Sequence, residues 1–268
     1  MAPRILTAAL WIAVSTSAQT FEALSVKPAE SGTGQLSTKG GPGTSDPGRI
    51  DYRNIMLKRV LLRAYDMKNY QIVGPDWLDT LRFDVLATLP GSATNEQFQA
   101  MLRDLLATRF KMAAHRETRE MPIYKLVLAK GGAKIQPDGA SQTQEEQLAS
   151  IRPVDGRDGF PVLSLAAPGL VIEGRNGRVR VTARAATMAK FADVLSGQTG
   201  RAVVDSTGLA GSYNFVLYYA ADDPGAAGSA ENTIFGALPE QLGLRLEAHK
   251  GPVDLLVIDH IEKVPSGN

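Results

Sequence analysis

The chain has 268 residues, 44% of them hydrophobic and 21% charged, with a formal net charge of +1. That suits one large domain or two small ones with an ordinary core, and a charge so near zero gives no electrostatic footprint for nucleic acid. There is no cysteine, which excludes disulfides, thiolate metal sites, a cysteine nucleophile and a lipid-anchored N-terminal cysteine.

The N-terminus reads MAPRILTAALWIAVSTSAQTFEA. Arg4 supplies a positive start, Ile5 to Val14 an apolar stretch, and Thr16 with Ala18 suit the small positions before a signal-peptidase cut. The apolar run is too short to cross a bilayer, which takes roughly 20 residues. Residues 1–18 are therefore expected to be a signal peptide, and the mature chain a soluble, periplasmic or extracellular protein with no stable membrane insertion. Its removal takes away Arg4 alone and brings the formal charge from +1 to 0.

FEALSVKP predicts a short first strand. Residues 31–49, rich in Gly, Ser, Thr and Pro, predict a long surface loop. The loop is not a phosphate cradle, because Lys39 is followed by Gly40, Gly41 and Pro42 and opens no helix. GRIDYRN then alternates as a strand, and Leu57, Val60, Leu61 and Ala64 form the stripe of a helix with one buried face. YQIVGPDWLD gives a brief strand stopped at Gly74 and Pro75, and LRFDVLATL a strand with Phe83, Val85 and Ala87 on one side. TNEQFQAMLRDLLATRF is a second helix burying Phe98, Met101, Leu102, Leu105 and Leu106. FKMAAHRETREMPIYKLVLAKGG reads as two strands with a turn near Glu120 to Pro122.

The pattern then recurs. GRVRVTARA is a strand, and Met188, Phe191, Ala192 and Leu195 repeat the helical stripe, with Thr187 as N-cap and Gly197 or Gly200 as the stop. RAVVDSTGLAGSYNFVLYY is two strands around a turn, with Tyr213, Phe215 and Leu217 facing inward. ENTIFGALPEQLGLRLEA is a second helix expected to bury Phe235, Leu238 and Leu242; Pro239 inside it predicts a kink or a late start. LRLEAHKGPVDLLVIDHIEKV is a closing hairpin with its turn at Lys250 to Pro252.

Both halves run strand, helix, strand, strand, helix, strand, strand, which points to an internal duplication. The expected fold is α+β: two related βαββαββ-like units, each a small sheet with two helices on one face. The expected boundaries are a first unit over 19–134 with the N-terminal strand and Gly-rich loop, a linker over 135–176, a second unit over 177–264 and a tail over 265–268. Within the linker, FPVLSLAAPGLVIEG is able to dock an extra strand.

The residues able to carry chemistry do not converge on a motif. Asp205, Ser206 and Thr207 read as a turn, with Gly208 and Gly211 supplying backbone angles other residues avoid. No spacing sets a base beside Ser206, and the matching turn of the first half has no hydroxyl. His115 and Glu117 share one face of a strand but lack a third metal ligand. Asp259 and His260 alternate faces on a strand. Trp77 reads as a plug under a turn, with Asp76 and Asp79 as turn formers. Lys58, Arg59, Arg63 and Lys68 read as the solvated face of the first helix. No catalytic residue, metal or cofactor is assigned; Trp77, Asp205, Ser206 and His249 remain as candidates for binding.

FEALSVKP, GRIDYRNIMLKRVLLRAYDMKNYQIVGPDWLDTLRFDV, MLRDLLATRFKMAAHRETREMPIYKLVLAKGG, TMAKFADVLSGQTGRAVVDSTGLAGSYNF and LPEQLGLRLEAHKGPVDLLVIDHIEKV closely resemble a family of exported proteins of unknown function, heavily paralogous in soil Acidobacteria. In that family the same domain is also attached to membrane metallopeptidases of the beta-lactam-sensor type, and it has no established catalytic residues to carry over; Pro239 departs from its pattern. More remotely, each half is similar to the small domains at the N-termini of secretins and TonB-dependent receptors, which are periplasmic interaction modules. The resemblance implies a non-enzymatic binding or sensing module that contacts an envelope protein, with strand addition at a sheet edge as the natural mode. The competing expectation is an envelope hydrolase or small-ligand binder with its site between the two units.

Overall fold

The computed structural model describes residues 20–29, 34–139, 160, 168–221 and 233–267; the expected signal peptide and much of the expected linker lie outside the described residues. The architecture is α+β. Contacts divide the described chain into two compact units: unit 1 holds residues 20–29, 34–68, 72–116 and 256–267, and unit 2 holds 69–71, 117–139, 160, 168–221 and 233–255.

Unit 1 is built from β1 (Ala23–Pro28), β2 (Ser37–Gly40), β3 (Arg49–Met56), helix α1 (Leu57–Tyr65), β4 (Ile72–Val73), β5 (Arg82–Thr88) and helix α2 (Asn95–Arg109). Its main sheet has the order β1-β5-β3-β2, all antiparallel. The expected inward residues of both helices are buried, and they pack with Ile50, Tyr52, Phe83, Val85 and Ala87 into one core. Each fully buried aliphatic or aromatic side chain contributes about 1.5–3 kcal/mol relative to exposure. A capping box starts α2: Thr94 Oγ1 accepts from the Gln97 amide at 3.2 Å, and Gln97 Oε1 accepts from the Thr94 amide at 2.8 Å. The glycine-rich run expected as one loop contains β2, because its backbone groups pair with β3 from Ser37 opposite Arg53 to Gly40 opposite Ile50.

Unit 2 holds β7 (Gln136–Pro137), β8 (Gly169–Arg175), β9 (Arg178–Ala186), helix α3 (Met188–Thr199), β10 (Val203–Asp205), β11 (Tyr213–Ala220) and helix α4 (Ile234–Ala237). Its main sheet has the order β7-β11-β9-β8, again antiparallel. The helix stripe of α3 is buried; Thr187 caps its start by accepting from the Lys190 amide, and Gly200, at φ 65°, ends it. β8 is the strand docked from within the expected linker. Proline sets the course of α4: its α-helical turn stops at Ala237 and passes into a wider π turn over Leu238–Leu242, with Pro239 in its first turn offering no N–H to extend the series of Ala237 to Thr233 and Leu238 to Ile234.

That turn corrects one expectation. Phe235 is 44% exposed, and Ile234 takes the inward position with Ala237, Leu238 and Leu242. Ile234, Leu238 and Leu242 fall four apart on one side, which leaves Phe235 rotated outward, edge-on to Tyr124 with ring centroids 5.4 Å apart.

The two units repeat one sheet order, and each bends its second-to-outermost strand the same way. In β3, Asn54 has φ 53° at a bulge and its amide donates to Asp84 on β5 at 2.8 Å. In β9, Ala185 has φ 46° at a bulge and its amide donates to Asn214 on β11 at 2.8 Å.

The remaining sheet has the order β10-β6-β12-β4, and its two long strands correct two expected turns. β6 (Ala113–Leu128) begins in unit 1 and ends in unit 2, while β12 (Leu244–His260) begins in unit 2 and ends in unit 1. Neither turns back. Within unit 2 the Tyr124 amide donates to Ala202 beside β10, so Pro122, two residues earlier, aims its missing N–H to that same side. β10 pairs only from Tyr124 onward, so the proline forfeits no bond to it. At Gly251 a Cβ would stand 2.6 Å from Ile123 Cδ1. The glycine there is needed for close approach between strands rather than for a turn.

Candidate functional site

The residues singled out for binding are placed in separate roles. Asp205 ends β10, and its Oδ1 accepts from the Thr207 amide at 3.0 Å and from Thr207 Oγ1 at 2.8 Å. Thr207 Oγ1 accepts from the Leu209 amide at 3.1 Å. The Ser206 amide donates to the Leu126 carbonyl at 2.9 Å, and its side chain is exposed. This is a chain of side-chain-to-backbone bonds that shapes a turn. His249 lies exposed on β12, and among the described residues no hydrogen bond joins it to Asp205 or Ser206. Trp77 belongs to unit 1, where it is half-buried against the core in a short 3₁₀ turn over Asp76–Asp79; Leu78 is the fully buried residue there.

His115 and Asp259 meet within unit 1, with Nδ1 at 2.9 Å and 3.0 Å from the two carboxylate oxygens. Glu117 is engaged by Arg119. Among the described residues no group of three or more His, Asp or Glu side chains is placed to hold a metal. An open depression of about 360 Å³ lies on the outer face of the unit 1 sheet, lined by Ala23, Ser25, Arg49, Leu86 and Thr88 among others; none of the four binding candidates lines it.

The feature with binding chemistry is the edge of unit 2 formed by β8. Sequence dictates it in two steps. First, Asn176 and Gly177 have φ 50° and 71°, the paired positive angles of the two-residue turn that matches strand twist. They join Arg175 to Arg178 as the closing pair of a hairpin. Second, a two-residue turn makes its flanking pair a hydrogen-bonded one, and hydrogen-bonded pairs alternate along an antiparallel ladder. So Gly169, Val171, Glu173 and Arg175 bond to β9, while Leu170, Ile172 and Gly174 direct their N–H and C=O groups away from the sheet. Among the described residues nothing bonds to that outer side.

β8 is held firmly on its inner side. Glu173 accepts from Arg180 on β9, with Nε at 2.8 Å and Nη2 reaching the same oxygen. Arg180 is 0% exposed, and the ring of Phe160 covers its guanidinium with 4.9 Å between guanidinium carbon and ring centroid. Next to it Thr182, 1% exposed, keeps a hydroxyl without a hydrogen-bond partner among the described residues. On the core side Leu170 packs against the buried cluster, while Ile172 is 41% exposed at the rim.

The other described edges are closed or short. β10 is stoppered by α3: the Val203 amide donates to Ser196 Oγ at 2.8 Å, and Ser196 in turn donates to Ala192. β1 carries Lys27 and Pro28, β2 is four residues long with Lys39, and β4 and β7 are two residues each. Charge, proline and shortness are the devices that discourage edge pairing. β8 is seven residues long with neither Lys nor Pro, and its two charges, Glu173 and Arg175, sit on the face away from the core. The Asn176–Gly177 pair flanked by alternating Leu170, Ile172 and Val179, Val181 was the signal in the sequence for this hairpin; ending the linker at 176 divides it.

Searches of curated proteins and of solved structures find no match to the chain. A family model covers residues 58–261, which includes α2, α3, α4, β8 and all of α1 but its first residue. The chain belongs to the family described as a protein of unknown function, DUF3738.

Proposed function

We propose that the chain is an exported, non-enzymatic binding module that takes hold of another protein of the cell envelope by strand addition at β8. The observation that carries this reading is a seven-residue edge whose outward N–H and C=O groups have no partner among the described residues, beside an exposed isoleucine. Main-chain bonds to such an edge supply affinity, and alternate side chains supply selectivity. The polar residues that invited a catalytic reading support it indirectly, because Asp205 and Thr207 spend their bonds on the turn. Export supports the envelope as the place of action and rests on the n-region, apolar run and small residues of positions 1–18.

The test is site-specific photocrosslinking in the native host. A crosslinking residue at position 172 is expected to give discrete protein adducts, and one at position 39 on β2 none. Equal labelling at both positions, or none at 172, would remove the reading. Export is checked separately by sequencing the N-terminus of the mature protein from the envelope fraction, which is expected to begin at Gln19.

A further inference from the structure

We infer that the segment added to β8 is an antiparallel strand with an acidic residue three positions before an apolar one, an inference that rests on the strand-addition reading above. The register forces this spacing. A residue opposite Ile172 pairs with its outward N–H and C=O and shares its face, the side of the core cluster. An apolar side chain there covers the exposed part of Ile172 and continues the packing that Leu170 begins. Three residues earlier in the incoming strand lies the position opposite Arg175. An odd separation brings its side chain to the other face, where Arg175 is exposed and makes no ion pair among the described residues. Glu173, between them, is already engaged by Arg180 and offers no free charge to attract a base. Opposite charges directly across a ladder are favourable and like charges are not, so the position opposite Arg175 selects a carboxylate.

The β8 strand of a second copy does not fit both demands. Pairing β8 with itself about Ile172 sets isoleucine against isoleucine but Arg175 against Gly169. The register that sets Arg175 against Glu173 moves Ile172 against Asn176. The occupant proposed is a segment of another protein, extended, with the order acidic–x–x–apolar.

The experiment pans a phage-displayed library of random linear peptides against the intact mature protein, then measures binding of individual synthetic winners. The expected result is an enriched acidic residue three before an apolar one, with a preference of about two- to fivefold over the neutral peptide. Arg175→Glu is expected to turn that preference toward Lys or Arg. Ile172→Pro deletes one outward N–H without touching a bond to β9 and is expected to abolish binding; Ile172→Lys, the milder edge blocker, repeats the test should the proline variant misfold. Peptides that lose binding in the Ile172 variants yet show no acidic preference overturn this inference and leave strand addition standing. Winners that bind the Ile172 variants as well as the parent, or a library that yields none, overturn strand addition itself. A dimer in sedimentation that Ile172→Lys dissolves would replace the foreign segment with a second copy.

Discussion

β2 and β8 occupy the same place in two sheets of the same order, each outermost beside the strand that leads into a helix. Their chemistry is opposite. β2 reads STKG, four polar or small residues with a lysine at the edge; β8 reads GLVIEGR, with Leu170, Val171 and Ile172 in succession. The connections differ too. Gly40 and Gly41 enter a long glycine-rich turn after β2, whereas Asn176 and Gly177 close β8 on β9 in two residues. Place in the fold therefore does not decide whether an edge is open. The lysine and the shortness of β2 discourage pairing at this position in unit 1, whereas in unit 2 no described residue pairs with the outer side of β8.

The contrast is meaningful only if both sheets stand on comparable cores, which sets the largest expected effect. Leu102→Ala in unit 1 and Leu195→Ala in unit 2, both 0% exposed, should each cost about 2–5 kcal/mol in denaturant unfolding. A loss well below that range in only one would mean that its sheet is weakly supported and that its edge reflects looseness. Next come the two connections. A Cβ on Gly40 would stand 1.9 Å from the Arg49 carbonyl oxygen, while Gly177, also at positive φ, has nothing within 4 Å. Gly177→Ala should cost about 1–2 kcal/mol from backbone strain alone, and Gly40→Ala clearly more; equal melting temperatures for the two variants would contradict the geometry.

The closed edge of β10 depends on one hydroxyl. Ser196→Ala leaves the Val203 amide without its partner, expected to cost about 1–3 kcal/mol, with faster amide exchange at Val203 as the local readout. Thr182→Val, beside β8, is expected to act in the other direction. It removes a buried hydroxyl that has no hydrogen-bond partner among the described residues and should stabilise by roughly 1 kcal/mol, measured as a higher melting temperature. The smallest effect at neutral pH comes from tyrosines. Burial pushes the phenols of Tyr52, Tyr65 and Tyr70 up. The folded state thus favours the neutral phenol. This contribution is complete below the unfolded phenol's pKa near about 10 and is lost as pH rises through the folded values. Melting temperatures should be flat across neutral pH and fall in the alkaline range, less steeply in Tyr52→Phe.

Local pattern was legible where one physical cause dominates. The stripes of α1, α2 and α3 marked their buried faces residue by residue, since a helix with one apolar face has one way to bury it. Thr187 and Gly200 marked the ends of α3. Phe235 departs from the spacing because a π turn follows α4 and resets the phase, something the spacing of apolar residues does not announce. Pro122 and the Gly251–Pro252 pair read as turns because both residue types serve turns. Here Pro122 meets a side where β10 has not yet begun, and Gly251 makes room for Ile123. The candidate site was half legible: the Asn-Gly turn is a local signal, but the openness of β8 depends on which strands lie beside it.

By itself the sequence determined the α+β class and the identity of most core side chains, because these follow from periodicity and local backbone preference. Only the tertiary structure decided which strands pair, that β6 and β12 run on without turning, and that β10 is closed by α3 while β8 has no outer partner among the described residues. Pairing joins residues far apart in the chain, and a backbone N–H is free or satisfied according to its neighbours in space, a property no stretch of sequence contains.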